Sequence, residues 1–251
     1  MISDGDFLRI SYTAKLEDGT VVDTTDEEVA KEHGIFNENA RYGDIYLVVG
    51  KGHVLPGLEE DIRGKEVGYK GVVEVPPEKA FGEYNPDYKD TFSITRFRER
   101  PEVGQRVRIG DKYGTVERIV GRRVIVDFNH PLAGKKIIFE YEIKEKLEKP
   151  EDKIRALFVI HAGIDVKDVK VEDGKAIVEV SSDAYLNQLF LIGRYRVVKE
   201  VFDSLEDVKE IEIVERFERE SEIVKLSEEL KESEKGEGEE RSDTEEQVKE
   251  E

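Results

Sequence analysis

Two stretches far apart in this chain share one pattern, and the stretch between them has another. Leu8, Ile10, Tyr12, Ala14 and Leu16 alternate with Arg9, Ser11, Thr13 and Lys15, the period-two signature of a strand with one buried face. Asp18-Gly19 then supplies a tight turn. Far downstream, Ile137, Phe139, Tyr141 and Ile143 resume the alternation. Residues 85–129 read as a small all-β unit of their own. Phe92 and Ile94 alternate, Val107 and Ile109 alternate, and residues 114–120 and 123–128 flank the turn Gly121-Arg122. Segments 50–84 and 127–143 therefore read as halves of one domain split by an insertion.

Within the first half, Tyr46 to Val49 read as a strand. Val54-Leu55-Pro56-Gly57 lead into a short helix carrying Leu58 and Ile62 four residues apart, and Gly71 to Val75 form another strand ended by Pro76-Pro77. Residues 24–44 show little periodicity. A further unit begins after Lys149-Pro150: Ile154, Leu157, Phe158 and His161 are at helical spacing, residues 166–171 and 176–180 flank Asp173-Gly174, residues 185–205 read as a longer helix, and Ile211, Ile213 and Phe217 close the unit as a strand. That order predicts an α+β sandwich with helices on one sheet face. Residues 218–251 hold 15 acidic and 6 basic residues, a net −9, and are expected to be a frayed helix passing into disorder. The domains expected are thus 1–84 with 130–149, the insert 85–129, a C-terminal domain 150–217, and an acidic tail 218–251.

Composition narrows the function. A length of 251 residues suits two or three domains, and 37% hydrophobic against 39% charged residues still permits folding. The formal charge of −19 repels phosphate backbones and anionic membranes, so neither nucleic acid nor membrane is an expected partner. There is no Cys, which removes disulfides and thiolate metal sites. The start MISDGDF lacks a basic-then-apolar signal, and no apolar run approaches a membrane span, so a soluble cytoplasmic protein is expected. No metal site and no cofactor are expected: His33, His53, His130 and His161 are scattered, and GKG at residues 50–52 lacks the spacing of a phosphate loop.

GKGHVLPGLEEDIRGKEVGYKGVVEVPPEKAFGEY at 50–84 resembles the core of the FKBP-type peptidyl-prolyl cis-trans isomerases. DFNHPLAGKKIIFEYEI at 127–143 resembles the SlyD-like subclass, whose flap carries a second domain, and the added third domain resembles the long archaeal members. The resemblance implies an FKBP-like antiparallel sheet with a short helix, proline isomerisation of unfolded or nascent polypeptides, and chaperone capture by the insert. It assigns catalytic positions to Tyr12, Asp23, Leu55, Phe81 and Phe139, and substrate-binding positions to Val22, Ile45, Leu47, Val54 and Leu58. Phe81 stands where the family usually has Tyr, which removes a hydroxyl that donates to bound substrate.

The residues themselves leave other readings open. Tyr12, Leu58 and Phe139 suit any β-sheet core, and Asp23 could simply end a strand by accepting from a nearby N–H. Phe92, Ile94, Phe97, Val103, Ile119 and Val120 could capture clients or fill the insert's own core. The alternative function is a non-catalytic chaperone or peptide-binding adaptor. Ile154, Leu157 and Phe158, with Leu189, Ile192 and Val198, offer more apolar surface than one thin sheet covers, so a homodimer through the C-terminal domain is expected, against a monomeric spacer.

Overall fold

The computed structural model describes residues 1–217, and the acidic tail lies outside the described residues. The chain divides into two compact units, Met1–Leu147 and a second beginning at Glu148. Together they form a mixed α+β protein with an interrupted first sheet.

In the first unit, β1 (Phe7–Lys15), β2 (Val21–Thr24), α1 (Glu27–Glu32), β3 (Ile45–Val48), α2 (Pro56–Ile62) and β4 (Lys70–Val75) precede the insert strands β5 (Lys89–Ser93), β6 (Arg106–Ile109), β7 (Lys112–Val120) and β8 (Arg123–Asp127), after which β9 (Ile137–Leu147) returns. β9 fills the gap between β1 and β4, giving the order β2-β1-β9-β4 with β3 also on β1. Every pairing is antiparallel, with Ile10 opposite Ile143 and Ala14 opposite Phe139. The strand after the insertion is therefore central to the sheet. The insert makes a separate sheet, β5-β8-β7-β6.

Alternation places Leu8, Ile10, Ala14, Ile137, Phe139, Tyr141 and Ile143 in one core with Leu58 and Ile62 of α2. Leu58 and Ile62 are fully buried, each worth roughly 1.5–3 kcal/mol of apolar transfer. Pro56 at the first turn presets α2. Gly57 lets the helix lie directly on β4, since a Cβ there would stand 2.4 Å from Val75 Cγ1.

Several elements differ from the sequence reading. β3 begins at Ile45, drawn in by its pairing with Ile10. α1 was hidden because its six residues bury only Ala30; Asp26 caps it by accepting from the Glu28 and Val29 N–H groups. Ile94 leaves the strand for a 3₁₀ turn, which Ser93 caps by accepting from the Thr95 N–H.

The second unit comprises α3 (Pro150–Ala162), β10 (Asp168–Glu172), β11 (Lys175–Val180), α4 (Gln188–Ser204) and β12 (Glu210–Glu215). β10 and β11 form a hairpin, while β11 and β12 run parallel, so α4 is the crossover that parallel neighbours require. The expected helix over 185–205 is split: a 3₁₀ turn ends at Leu186, and Asn187 caps α4 by accepting from the Leu189 and Phe190 N–H groups. α3 and α4 pack in close contact at Gly193, where a Cβ would lie 1.9 Å from the His161 carbonyl oxygen. Phe217 falls beyond β12 and is exposed. Among the described residues no helix is long and apolar enough to cross a membrane.

Candidate active site

A cup of about 570 Å³ opens where β1, β2, β9, α2 and the loops after β4 and before β9 converge. Tyr12, Val22, Asp23, Ile45, Val54, Leu55, Leu58, Phe81 and Phe139 all line it. Leu47 does not. It shares a face with Ile45, but pairing with Leu8 sets it two residues deeper, where it is fully buried in the core. Ala14, Leu132, Ile137, His53 and His130 also line the cup. Ala14 and Ile137 could have been found from the alternation that exposed their neighbours, and His130 and Leu132 from the FNHPLAG return.

The wall is apolar and fixed. Tyr12 meets Phe139 edge-on, with ring centroids 5.5 Å apart at 64°. The Tyr12 hydroxyl donates to Asp23 Oδ2 at 2.6 Å, and burial, followed by that carboxylate, raises the phenol's pKa. Asp23 Oδ1 also accepts from the Thr24 N–H at 2.9 Å, so this residue serves as strand-end acceptor and lines the cup as well.

The lip before α2 is held from below. Glu59, buried on the helix, accepts through Oε1 from the Gly50 and Gly52 N–H groups at 2.9 and 3.2 Å. His53 Nδ1 accepts from the Val48 N–H at 3.0 Å. These bonds position Val54 and Leu55, and the Leu55 N–H donates to no other described residue.

At the opposite rim Phe81 lies flat on His130, centroids 4.3 Å apart and planes within 2°. His130 Nδ1 accepts from the Leu132 N–H at 3.1 Å, which folds the return loop. Burial first, then the charge of Arg106, lowers the pKa of this imidazole below 6.5. The ring is therefore an uncharged part of the wall at neutral pH.

A second depression of about 490 Å³ lies against Ser11, Lys70, Glu140 and Glu142. It is shallower and more open than the cup, so it encloses an apolar ring less well.

The insert leaves the cup domain through a closed neck. The Asn85 N–H donates to Asn129 Oδ1 at 3.0 Å, and Asn129 Nδ2 donates to the Asn85 carbonyl at 2.8 Å. Tyr84 bonds Asp127 across the same neck.

Comparison with known proteins agrees with this geometry. The model of FKBP-type peptidyl-prolyl cis-trans isomerases matches residues 1–103, that of the FKBP26 IF domain 94–132, and that of the FKBP26 C-terminal domain 150–218. The short-type peptidyl-prolyl cis-trans isomerase of Methanocaldococcus jannaschii is 33% identical over 150 residues, covering 58% of this chain and 94% of that protein. SlyD of Treponema pallidum is 32% identical over 60% of this chain and 81% of its own length, and the FKBP-type 16 kDa isomerase of Escherichia coli is 32% identical over 54% and 87%. The chain belongs to the FKBP-type peptidyl-prolyl cis-trans isomerases and is an enzyme of that class, which displaces the non-catalytic adaptor reading.

Proposed function

We propose that the cup isomerises X-Pro bonds by desolvation, that the insert holds unfolded clients beside it, and that the second unit joins two such chains. The observation that carries the first part is the apolar wall of Tyr12, Leu58, Ile137 and Phe139 beside a lip whose Leu55 N–H donates to no described residue. Rotation about an amide C–N bond faces a barrier of about 18–20 kcal/mol, and water supports the polar planar form. A proline ring seated in this cup places its imide where water is excluded. The planar ground state then loses support that the twisted, less dipolar state does not need. Leu55 N–H donates to the substrate carbonyl and fixes the residue before proline. The Tyr12–Asp23 bond locks the wall, so no protein group reorganises during rotation. Val22, Ile45 and Val54 shape the entrance.

Phe81 supplies surface but no hydroxyl, so hold on short peptides is modest. Isomerisation of proline tetrapeptides by the purified chain is expected to be measurable, to rise in Phe81→Tyr, and to fall about tenfold or more in Tyr12→Ala or Phe139→Ala, a loss of roughly 1.4 kcal/mol of barrier lowering. Rates indistinguishable from solvent in both parent and Phe81→Tyr would refute the desolvation mechanism.

The capture role is supported by the insert's exposed Val103, Tyr113 and Val120. The pairing role is supported by α4, and here the structure corrects the expectation. Ile154, Leu157 and Phe158 are fully buried and contribute no free surface. Most of the surplus lies on α4. Phe190, Gly193, Val197 and Val201 take its inner face, while Ile192 and Tyr195, on the opposite side, are 70% and 75% exposed beside exposed Leu191 and Phe202. A second copy covers this stripe by two-fold symmetry. Light scattering is expected to give a dimer for the full chain and a monomer for Ile192→Glu/Tyr195→Glu; a monomeric full chain at micromolar concentration would end the pairing proposal.

A further inference from the structure

The insert reverses the charge of the rest of the chain. Residues 85–129 hold ten basic and seven acidic residues, a net +3, against 30 basic and 52 acidic residues elsewhere, a net −22. Eight of the ten basic residues are Arg. Solubility gives no reason for the reversal, because added carboxylates serve it better than added cations.

Four of the eight arginines gather at one free edge. β6 is the last strand of the insert sheet. The Val116 N–H donates to the Gln105 carbonyl, and Val107 and Ile109 pair with Gly114 and Lys112. In an antiparallel ladder that alternation commits Gln105, Val107 and Ile109 to β7 and turns the backbone groups of Arg106 and Arg108 outward. A groove of about 390 Å³ runs along this edge, lined by residues 96–99, Pro101 and residues 105–109, so that four arginines face it against the single carboxylate of Glu99. The Arg106 and Arg108 guanidinium groups stand 5.7 and 5.6 Å from the Tyr113 ring centroid, which keeps them on the outer sheet face. Among the described residues no carboxylate is within ion-pair distance of Arg96, Arg98 or Arg106, and Arg108 has only exposed Asp111 at 3.9 Å. Arg106 is also near enough to the cup rim for its charge to act on His130.

We propose that this edge selects client segments in which carboxylates alternate with apolar residues. An added strand presents successive side chains to opposite faces. Its acidic residues meet Arg106 and Arg108 on the outer face, with Arg96 and Arg98 lining the same groove, and its apolar residues meet Val107 and Ile109 on the inner face. The inference rests on the capture role proposed for the insert. A short segment with a few carboxylates suits the site better than a nucleic acid, whose every phosphate meets the field of a chain carrying −19.

The test uses the full chain and three fluorescent peptides of equal length, alternating Leu with Glu, Gln or Lys, with a single-stranded oligonucleotide as a fourth probe. The Glu peptide is expected to bind about tenfold more tightly than the Gln peptide at low salt, the sum of a few exposed ion pairs. That advantage should shrink as salt rises, and this arm needs no variant. Arg106→Gln/Arg108→Gln should bring the two peptides toward parity, with circular dichroism checking that the insert remains folded. Equal binding of Glu and Gln peptides would overturn the selectivity and leave capture standing. Binding of none would overturn capture itself. An oligonucleotide bound more tightly than the Glu peptide would reassign the edge.

Discussion

The cup domain and its insert spend their apolar residues in opposite ways. The cup's walls are the outer layer of one large core: Leu58 is fully buried and Phe139 is 5% exposed, backed by Leu8, Ile10, Ile62 and Ile143. The insert's core cluster is three valines, Val116, Val124 and Val126, with Phe92, Ile94, Phe97, Val107, Ile119 and Phe128 half-covered around them. Val103, Tyr113 and Val120 are more than half exposed. A site that works by excluding water must exist before substrate arrives, so it is built into a rigid core. A surface that accepts many chains gains from loosely committed residues, at the expense of its own stability.

The widest separation between the two regions should come from removing one of them. Replacing residues 85–129 by a short flexible loop leaves the neck positions side by side, as the Asn85 and Asn129 bonds already hold them. Most turnover of short peptides is expected to remain, while refolding of a long proline-limited client falls tenfold or more. A loop variant that refolds the long client as well as the parent would abolish the distinction between site and capture surface. The next effect concerns stability. Leu58→Ala should cost about 2–5 kcal/mol and be felt throughout the cup sheet. Val126→Ala should cost roughly 2 kcal/mol, two methyl groups and a small cavity, and raise hydrogen exchange only in β5 to β8. Exchange spreading into β1 and β9 after Val126→Ala would show one cooperative unit instead of two.

How much of this was legible in the sequence follows the same division. Strands with one face in a large core alternate strictly, so β1 and β9 could be seen, and their common face named Tyr12 and Phe139. The resemblance put Leu47 beside Ile45 at the pocket, and only the pairing with Leu8 shows how deep in the core it lies. Ile94 was misread because a small core needs only a few inward positions, and one more apolar residue does not separate a strand from a 3₁₀ turn. α1 buries one residue and leaves no period to detect. The Glu59 anchor beneath the Leu55 lip was illegible, since a carboxylate on a short helix reads as solvent-facing until the Gly50–Gly52 loop is folded over it. Phe81 was read only as a lost hydroxyl, and its flat contact with His130 depends on two loops that meet only in three dimensions.

The smallest expected effect tests whether the two regions communicate. Burial and then Arg106 hold the His130 pKa below 6.5, so the folded chain binds this proton less readily than the unfolded chain does. Stability from this group is therefore complete above pH 6.5 and is lost as pH falls through the lowered value. Tyr12 is shifted the other way, its raised pKa keeping the hydroxyl protonated across the same range. Short-peptide turnover should accordingly be level from about pH 6.5 to mildly basic conditions and decline slightly below, as a charged ring enters the apolar rim against Phe81. An NMR titration of the His130 ring resolves the cause. Arg106→Gln should raise its midpoint but leave it under 6.5, because burial is the larger influence and remains. A midpoint at or above 6.5 in the parent, or one that ignores Arg106→Gln, would mean that the insert's charge does not reach the cup.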